Sequence, residues 1–164
     1  MKLSPRLLTL YEELSPGLPV ADLCCDHGHL GMHAYLSNRF PEILFVDQVP
    51  FAMNLLEKNF DEYVKSEDNP TLVSFITSDA GKIKTLLTGN VVIAGVGGVN
   101  MMKMLESLFQ GEKLKPSRLI LSPHKNQELF QKPELFGLPH SHTKSIVEAG
   151  IKYSIFIFSA PGSR

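Results

Sequence analysis

The sequence predicts an α/β domain, with helices packed on both faces of a mostly parallel sheet whose last edge is antiparallel. Three observations carry that prediction. Short, nearly continuous apolar runs alternate with segments of helical spacing for most of the length, and a strand-helix-strand order gives parallel strands joined by right-handed crossovers. Near the carboxyl terminus two strand-like runs, Lys144 to Glu148 and Ile151 to Ser159, flank Ala149-Gly150, which is the pattern of a hairpin. The chain of 164 residues is long enough for one hydrophobic core, and 43% hydrophobic against 20% charged residues is the balance of an ordinary globular domain.

Each element has its own signal. Ser4-Pro5 reads as an N-cap and first-turn proline ahead of Leu7-Leu8-Leu10-Tyr11-Leu14, which sets an amino-terminal helix within residues 1–15. Val20 to Cys24 forms the first strand, and Leu30 to Leu36 the helix after it. The second strand is Ile43 to Asp47, after which Pro50 opens a helix running to Phe60. A third strand over Leu72 to Ile76 is followed by a short helix around Ile83 to Leu87, then a fourth strand over Val91 to Ala94. Met101, Met102, Leu105, Leu108 and Phe109 mark the next helix, and Arg118 to Leu121 the fifth strand. With the hairpin over 142–160 the sheet has seven strands, and the absence of any linker-like tract predicts a single domain over 1–164.

Composition narrows the function classes. The run Ile151 to Ala160, broken by Lys152 and Ser154, is about half the ~20 residues that a membrane-spanning helix needs, so no membrane partner is expected. Met1 to Arg6 has no secretory character, and the adjacent Cys24 and Cys25 suit reduced thiols, so the cytoplasm is the expected compartment. A net charge of −1 provides no global field for polyanions. A nucleic-acid surface therefore has to be local, drawn from Arg6, Lys82, Lys84, Lys103, Lys113, Lys115, Arg118 and Lys125.

In such sheets ligands bind beyond the carboxyl ends of the strands. The first turn there, Asp22-Leu23-Cys24-Cys25-Asp26-His27-Gly28-His29, holds two carboxylates and a single glycine. A pyrophosphate would meet like charge in it, whereas a cationic or zwitterionic ligand would not. Asp47-Gln48 ends the second strand twenty-one residues after Asp26, the place where an acidic side chain accepts from ribose hydroxyls. Asp79-Ala80 follows the third strand, and Asp79 either accepts from an exocyclic amine or caps the next helix. Ribose, adenine and a charged amino-acid tail together describe S-adenosylmethionine, and a carboxyl-terminal hairpin is what Rossmann-like methyltransferases carry where dehydrogenases do not. Ala94-Gly95-Val96-Gly97-Gly98 after the fourth strand contains no activated nucleophile, and its small residues admit a flat base. Ser122-Pro123-His124 stands at the fifth strand end. The histidines lack the fixed-spacing partners of a metal site, and no metal is expected.

Leu3-Ser4-Pro5-Arg6-Leu7, Val20-Ala21-Asp22 with Asp26-His27, Ile93 to Gly98 and Leu119 to Pro123 resemble, in order and spacing, the bacterial tRNA (adenine(22)-N1)-methyltransferases of the TrmK type. The resemblance implies a Rossmann-like class I methyltransferase fold with S-adenosyl-L-methionine as cofactor and tRNA as partner. It implies a cofactor site made of Asp22, Cys24, Gly28, Asp47, Gln48, Asp79, Ala80 and Gly95. Arg6, Gly97, Gly98, Ser122, Pro123 and His124 would face the substrate, and Asp26, His27 and His29 would place the base and handle its proton. Cys24 stands where the family has glycine, His29 where it has tyrosine, Asp47 where glutamate is usual and Ser122-Pro123-His124 where it has Gln-Pro-Asn. The family also carries a coiled-coil extension implicated in holding tRNA, which a sequence ending at Arg164 is expected to lack. A small-molecule methyltransferase on the same scaffold and a catalytically silent cofactor- or RNA-binding module are the alternatives.

Overall fold

A computed structural model describes residues 2–64 and 68–163. Helix α1 (Pro5–Glu12) starts at Ser4, whose hydroxyl accepts from the Leu7 amide. Then follow β1 (Val20–Leu23), α2 (His29–Leu36), β2 (Glu42–Asp47), α3 (Pro50–Val64), β3 (Leu72–Thr77), β4 (Asn90–Ala94), α4 (Gly98–Gln110) and β5 (Arg118–Ser122). The chain closes with β6 (Glu134–Leu135), β7 (Leu138–Glu148) and β8 (Ile151–Ser159). All strands lie in one sheet of order β3-β2-β1-β4-β5-β8-β7-β6, parallel through β5 and antiparallel from β8 onward.

Strand alternation divides the core in two. Ala21, Leu23, Val91, Ile93, Leu119 and Leu121 point to the face covered by α4, against Met101, Leu105 and Leu108. Val20, Ile43, Phe45, Val92, Ile120 and Ile157 point to the face covered by α1, α2 and α3, against Leu10, Leu30, Met53 and Leu56. By the same alternation Asp22, Ala94, Ser122 and Tyr153 stand at the upper end of the α1/α2 face, so the functional end of the sheet is an extension of a core layer.

Four details depart from the sequence reading. The sheet has eight strands and not seven, because the two residues of β6 pair with Leu138 and Pro139 and cap the hairpin edge. The hairpin is longer than 142–160 at its first strand, which begins at Leu138. Ile83 to Leu87 is not helical: a single 3-10 turn covers Ala80–Lys82, and the buried Leu87 instead exchanges backbone bonds with Lys113 and Lys115. The third strand, whose apolar run matches those of the inner strands, is an edge with Leu72 exposed.

At the lower end, α1 is anchored by charge. Glu13 is buried and its carboxylate pairs with Arg118, His142 and Lys144, joining the end of α1 to β5 and β7. Burial alone would raise its pKa, but those three bonds hold it below the usual carboxylate value. Glu13 therefore contributes stability above pH ~4.5 that is lost as acid protonates it. Because two of the partners are half-exposed, Glu13→Gln should lower stability by about 2 kcal/mol at neutral pH. Urea titrations of both proteins at pH 7 and pH 3 should show the difference shrinking in acid.

Candidate functional site

The site is built around the turn between β1 and α2. Three bonds hold that turn: the Cys25 amide donates to the Val46 carbonyl at 3.0 Å, the Asp26 amide to Asp47 Oδ2 at 2.9 Å, and the Gly31 amide to Asp22 Oδ2 at 3.1 Å. The second oxygen of Asp47 accepts from the Val49 amide at 2.9 Å, so one side chain fixes both the turn and the start of α3. Cys24 and Asp26 both have left-handed backbone, at φ 57° and 50°. That conformation explains why glycine suits position 24, since a side chain there costs about 1–2 kcal/mol. Gly28 answers a different demand. A Cβ at Gly28 would lie 2.6 Å from Leu56, because α2 packs directly on the β2 and α3 layer.

Above the turn opens a cleft of about 250 Å³ lined by Arg6, Leu7, Asp22, Cys24, Cys25, Asp26, His27, His29, Leu30, Ala94, Gly95 and His124. Asp22 is its buried floor. Burial, together with the charge of Asp47 and against the bond from Gly31, raises the Asp22 carboxyl to about 7. Burial followed by the charges of Asp47, Asp22 and Asp79 pushes Cys24 up to about 12 and also raises Cys25. Neither thiol is a nucleophile at neutral pH, and their sulfurs pack against those of Met104 and Met53. Asp26 and His27 stand on the exposed rim with Oδ2 and Nε2 3.7 Å apart, and the rings of His27 and His29 stack at 5.7 Å. Elsewhere in the lining the Arg6 guanidinium lies 4.5 Å over the Tyr153 ring, which also meets the ring of His124 at 5.7 Å.

The structure thus gathers Arg6, Asp22, Cys24, Asp26, His27, His29, Gly95 and His124 around one opening. Other residues singled out in the sequence lie elsewhere. Gln48 and Asp79 border an adjacent depression of about 320 Å³ with Lys82, Asn100 and Lys103. One oxygen of Asp79 caps the 3-10 turn by accepting from the Gly81 amide at 2.9 Å, which is the capping alternative. Ala80 is in the core under α4. Gly98 is buried where a Cβ would meet the Lys125 and Asn126 carbonyls at 2.6 and 2.7 Å, while Gly97 is open. Ser122 and Pro123 are buried beneath the rim. Of the basic residues, Arg118 is consumed by Glu13 at the far end of the sheet. Tyr153 and Glu148 were not singled out in the sequence: their strand pattern carries no sign that they meet a residue more than 140 positions away.

A sheet of this order with its cleft beyond the ends of β1 and β4, closed by antiparallel β8 and β7, defines a Rossmann-like methyltransferase fold. A family profile described as a methyltransferase domain matches residues 3–136. The chain belongs to that family. Among curated proteins none matches in sequence. Solved structures agree in fold: M. capricolum TrmK in complex with S-adenosyl-homocysteine is similar at a TM-score of 0.80 with 18% identity, over 97% of this chain and 69% of that one. The B. subtilis M1A22 tRNA methyltransferase TrmK gives 0.78 with 21% identity over 97% and 67%. Magnesium protoporphyrin IX methyltransferase from Synechocystis, with bound SAM, gives 0.70 with 19% identity over 94% and 76%. Among the described residues no helix is long and apolar enough to cross a membrane.

Two substitutions in the turn should separate strain from packing. Cys24→Gly relieves the left-handed strain but adds about 0.5–1 kcal/mol of chain entropy, so its stability should stay within about 1 kcal/mol of the parent. Gly28→Val keeps φ at 67° and drives a branched side chain into Leu56, and should lose at least about 3 kcal/mol. Chemical denaturation of the two variants side by side measures both.

Proposed function

We propose that this chain is an S-adenosylmethionine-dependent methyltransferase that methylates N1 of an adenine in tRNA. One observation supports the cofactor above others: the cleft at the ends of β1 and β4 is lined by both carboxylates, Asp22 and Asp26, and a guanidinium, Arg6, the two kinds of partner that a ligand with an ammonium and a carboxylate requires. The residues fit such a group. Gly95 adds no side chain to the opening, and nothing lies within 4 Å of the Cβ it lacks. Asp47, which spends each oxygen on one amide, keeps lone pairs for ribose hydroxyls, and Asp79 keeps its second oxygen for an exocyclic amine. Gln48 borders the neighbouring depression together with Asp79.

When bound, the cofactor supplies an electrophilic methyl group on a sulfonium. The protein's part is placement. Adenine N1 is itself a nucleophile, so orientation supplies most of the acceleration and no covalent catalyst is required. Gly95 and Gly97 leave room for a flat base, while the stacked His27 and His29 rings and His124 offer faces and ring nitrogens to hold it. Asp26 and His27, exposed on the rim, can take the proton released from the exocyclic amine and pass it to water. The tRNA acceptor is supported by the resemblance to the TrmK type. A small-molecule acceptor is favoured by a different observation, the scattering of basic residues, with Arg118 neutralised by Glu13 and Lys82 and Lys103 bordering the separate depression beside Asp79.

Asp47→Ala should weaken S-adenosylmethionine about ten- to hundredfold by calorimetry, through lost ribose contacts and a loosened turn. Unchanged affinity would remove Asp47 from the site. Incubation of the protein with bulk tRNA and methyl-labelled cofactor should put label on adenine, with tRNA affinity falling at about −0.7 to −0.9 in log-log slope per phosphate contacted as salt rises. Labelling of no tRNA together with a flat salt response would assign the acceptor to small molecules.

A further inference from the structure

Strand β3 is one edge of the sheet, and among the described residues no strand pairs with its outer side. On its inner side the Leu72 amide donates to the Pro41 carbonyl and the Ser78 amide to the Asp47 carbonyl, both at 3.0 Å. The N–H and C=O of one strand residue point the same way, and the direction alternates along the chain. Leu72, Ser74, Ile76 and Ser78 therefore face β2, while Val73, Phe75 and Thr77 turn their amides and carbonyls outward. The other edge is guarded. Past its short pairing with β6, strand β7 carries a bulge between His140 and His142 and the charges of Lys144 and Glu148. By contrast β3, Leu-Val-Ser-Phe-Ile-Thr, has no charge, no proline and an unbroken register with β2. Phe75 is braced by the Phe45 ring at 5.1 Å and 8° from parallel, and by Phe60 at 5.5 Å. An apolar edge held straight and left unguarded is a template for another strand.

We propose that β3 pairs with β3 of a second copy of this chain, antiparallel about a twofold axis at Phe75. The phase of the outward groups selects that register. Residues 73, 75 and 77 are symmetric about 75, so Phe75 exchanges both bonds with the partner's Phe75, and Val73 with the partner's Thr77. Every outward amide and carbonyl of the strand is then satisfied. A twofold contact sets a surface against itself, and an uncharged strand meets its copy without like charges face to face. The copy also arrives as an ordered strand, whereas a free peptide would lose its conformational freedom on binding. The same register puts Ser74 opposite the partner's Ile76, and Leu72, 69% exposed, opposite the partner's Ser78. A groove of about 570 Å³ beside Leu72, lined by Arg39, Phe40, Pro41 and Pro70, supplies flanking surface, which a strand pair needs to approach the ~1,200 Å² of a specific interface. Because the paired strands run in opposite directions, the two clefts open at opposite ends of the joined sheet and both stay free.

Sedimentation of the full chain from micromolar to submillimolar concentration should show its mass rising toward twice that of one chain. Thr77→Pro removes an outward amide that β2 does not use, a place where an edge strand tolerates proline. It should keep the parent's circular dichroism spectrum and weaken the dimer at least about tenfold. Cysteines then fix the register. With Val73→Cys and Thr77→Cys together, each cysteine faces its counterpart in the partner at about 5.5 Å between Cα atoms, within disulfide reach. Mild oxidation should give a covalent dimer on a non-reducing gel, and Thr77→Cys alone should not. A parent that stays monomeric at every concentration overturns the proposal. A folded Thr77→Pro variant that dimerises as tightly as the parent, or Thr77→Cys cross-linking as readily alone as with Val73→Cys, puts the contact elsewhere and also overturns it. If Thr77→Pro does not fold, the cysteine pair decides by itself, and its failure to cross-link overturns the register and the proposal with it.

Discussion

The site depends on one buried bond, from the Gly31 amide to the Asp22 carboxyl at 3.1 Å. Asp22 ends the α1/α2 core layer at the top of β1, and by accepting from the first turn of α2 it sets where that helix starts. The close packing that follows is severe. A Cβ at Gly31 would lie 2.4 Å from the Phe45 ring, and one at Gly28 would meet Leu56, so α2 can approach the sheet only along a path without side chains. Asp47 holds the same turn from β2 through the Asp26 amide. Pinned from both strands, the turn keeps a left-handed conformation at Cys24 and Asp26 without the glycines that usually make it easy.

That geometry concentrates negative charge at the ends of β1, β2 and β3, and the chemistry follows. Asp22 is pushed toward neutrality by burial, and the thiols of Cys24 and Cys25 are raised far from reactivity by burial and by the surrounding aspartates. A site with no activated nucleophile and a surplus of carboxylate suits a cationic electrophile held in place, and not an acyl or phosphoryl group that must be attacked. Methyl transfer to a ring nitrogen belongs to that kind of chemistry, since the acceptor brings its own lone pair and the protein need only orient it.

Much of this was legible in the sequence because it follows from short-range rules. Apolar runs of strand length, the Ser4-Pro5 cap, Pro50 and the spacing from Asp26 to Asp47 each reflect a local constraint, and the structure has them where the spacing puts them. Ile83 and Leu87 misled because residues four apart look helical, although here both are buried in an irregular segment stitched to Lys113 and Lys115. Strand β3 has an apolar run like the others, and only the topology makes it an edge. Ser122 ends β5 and Gly98 begins α4, at the strand ends that sequence logic gives to ligands, but neighbouring backbone and core bury both. The wall of Arg6, Tyr153 and Glu148 depends on strand order bringing the two ends of the chain together, and no local pattern encodes it.

The central claim is that the cleft takes a zwitterion whose ammonium is met by Asp22. Calorimetry of S-adenosylhomocysteine binding at pH 6, repeated in buffers of different ionisation enthalpy, counts the protons released. With the Asp22 carboxyl at about 7 in the free protein, it is mostly protonated at that pH and must ionise to pair with the ammonium. Binding should then release about one proton, and Asp22→Asn should abolish the release. Binding to the parent with no proton released would contradict the account.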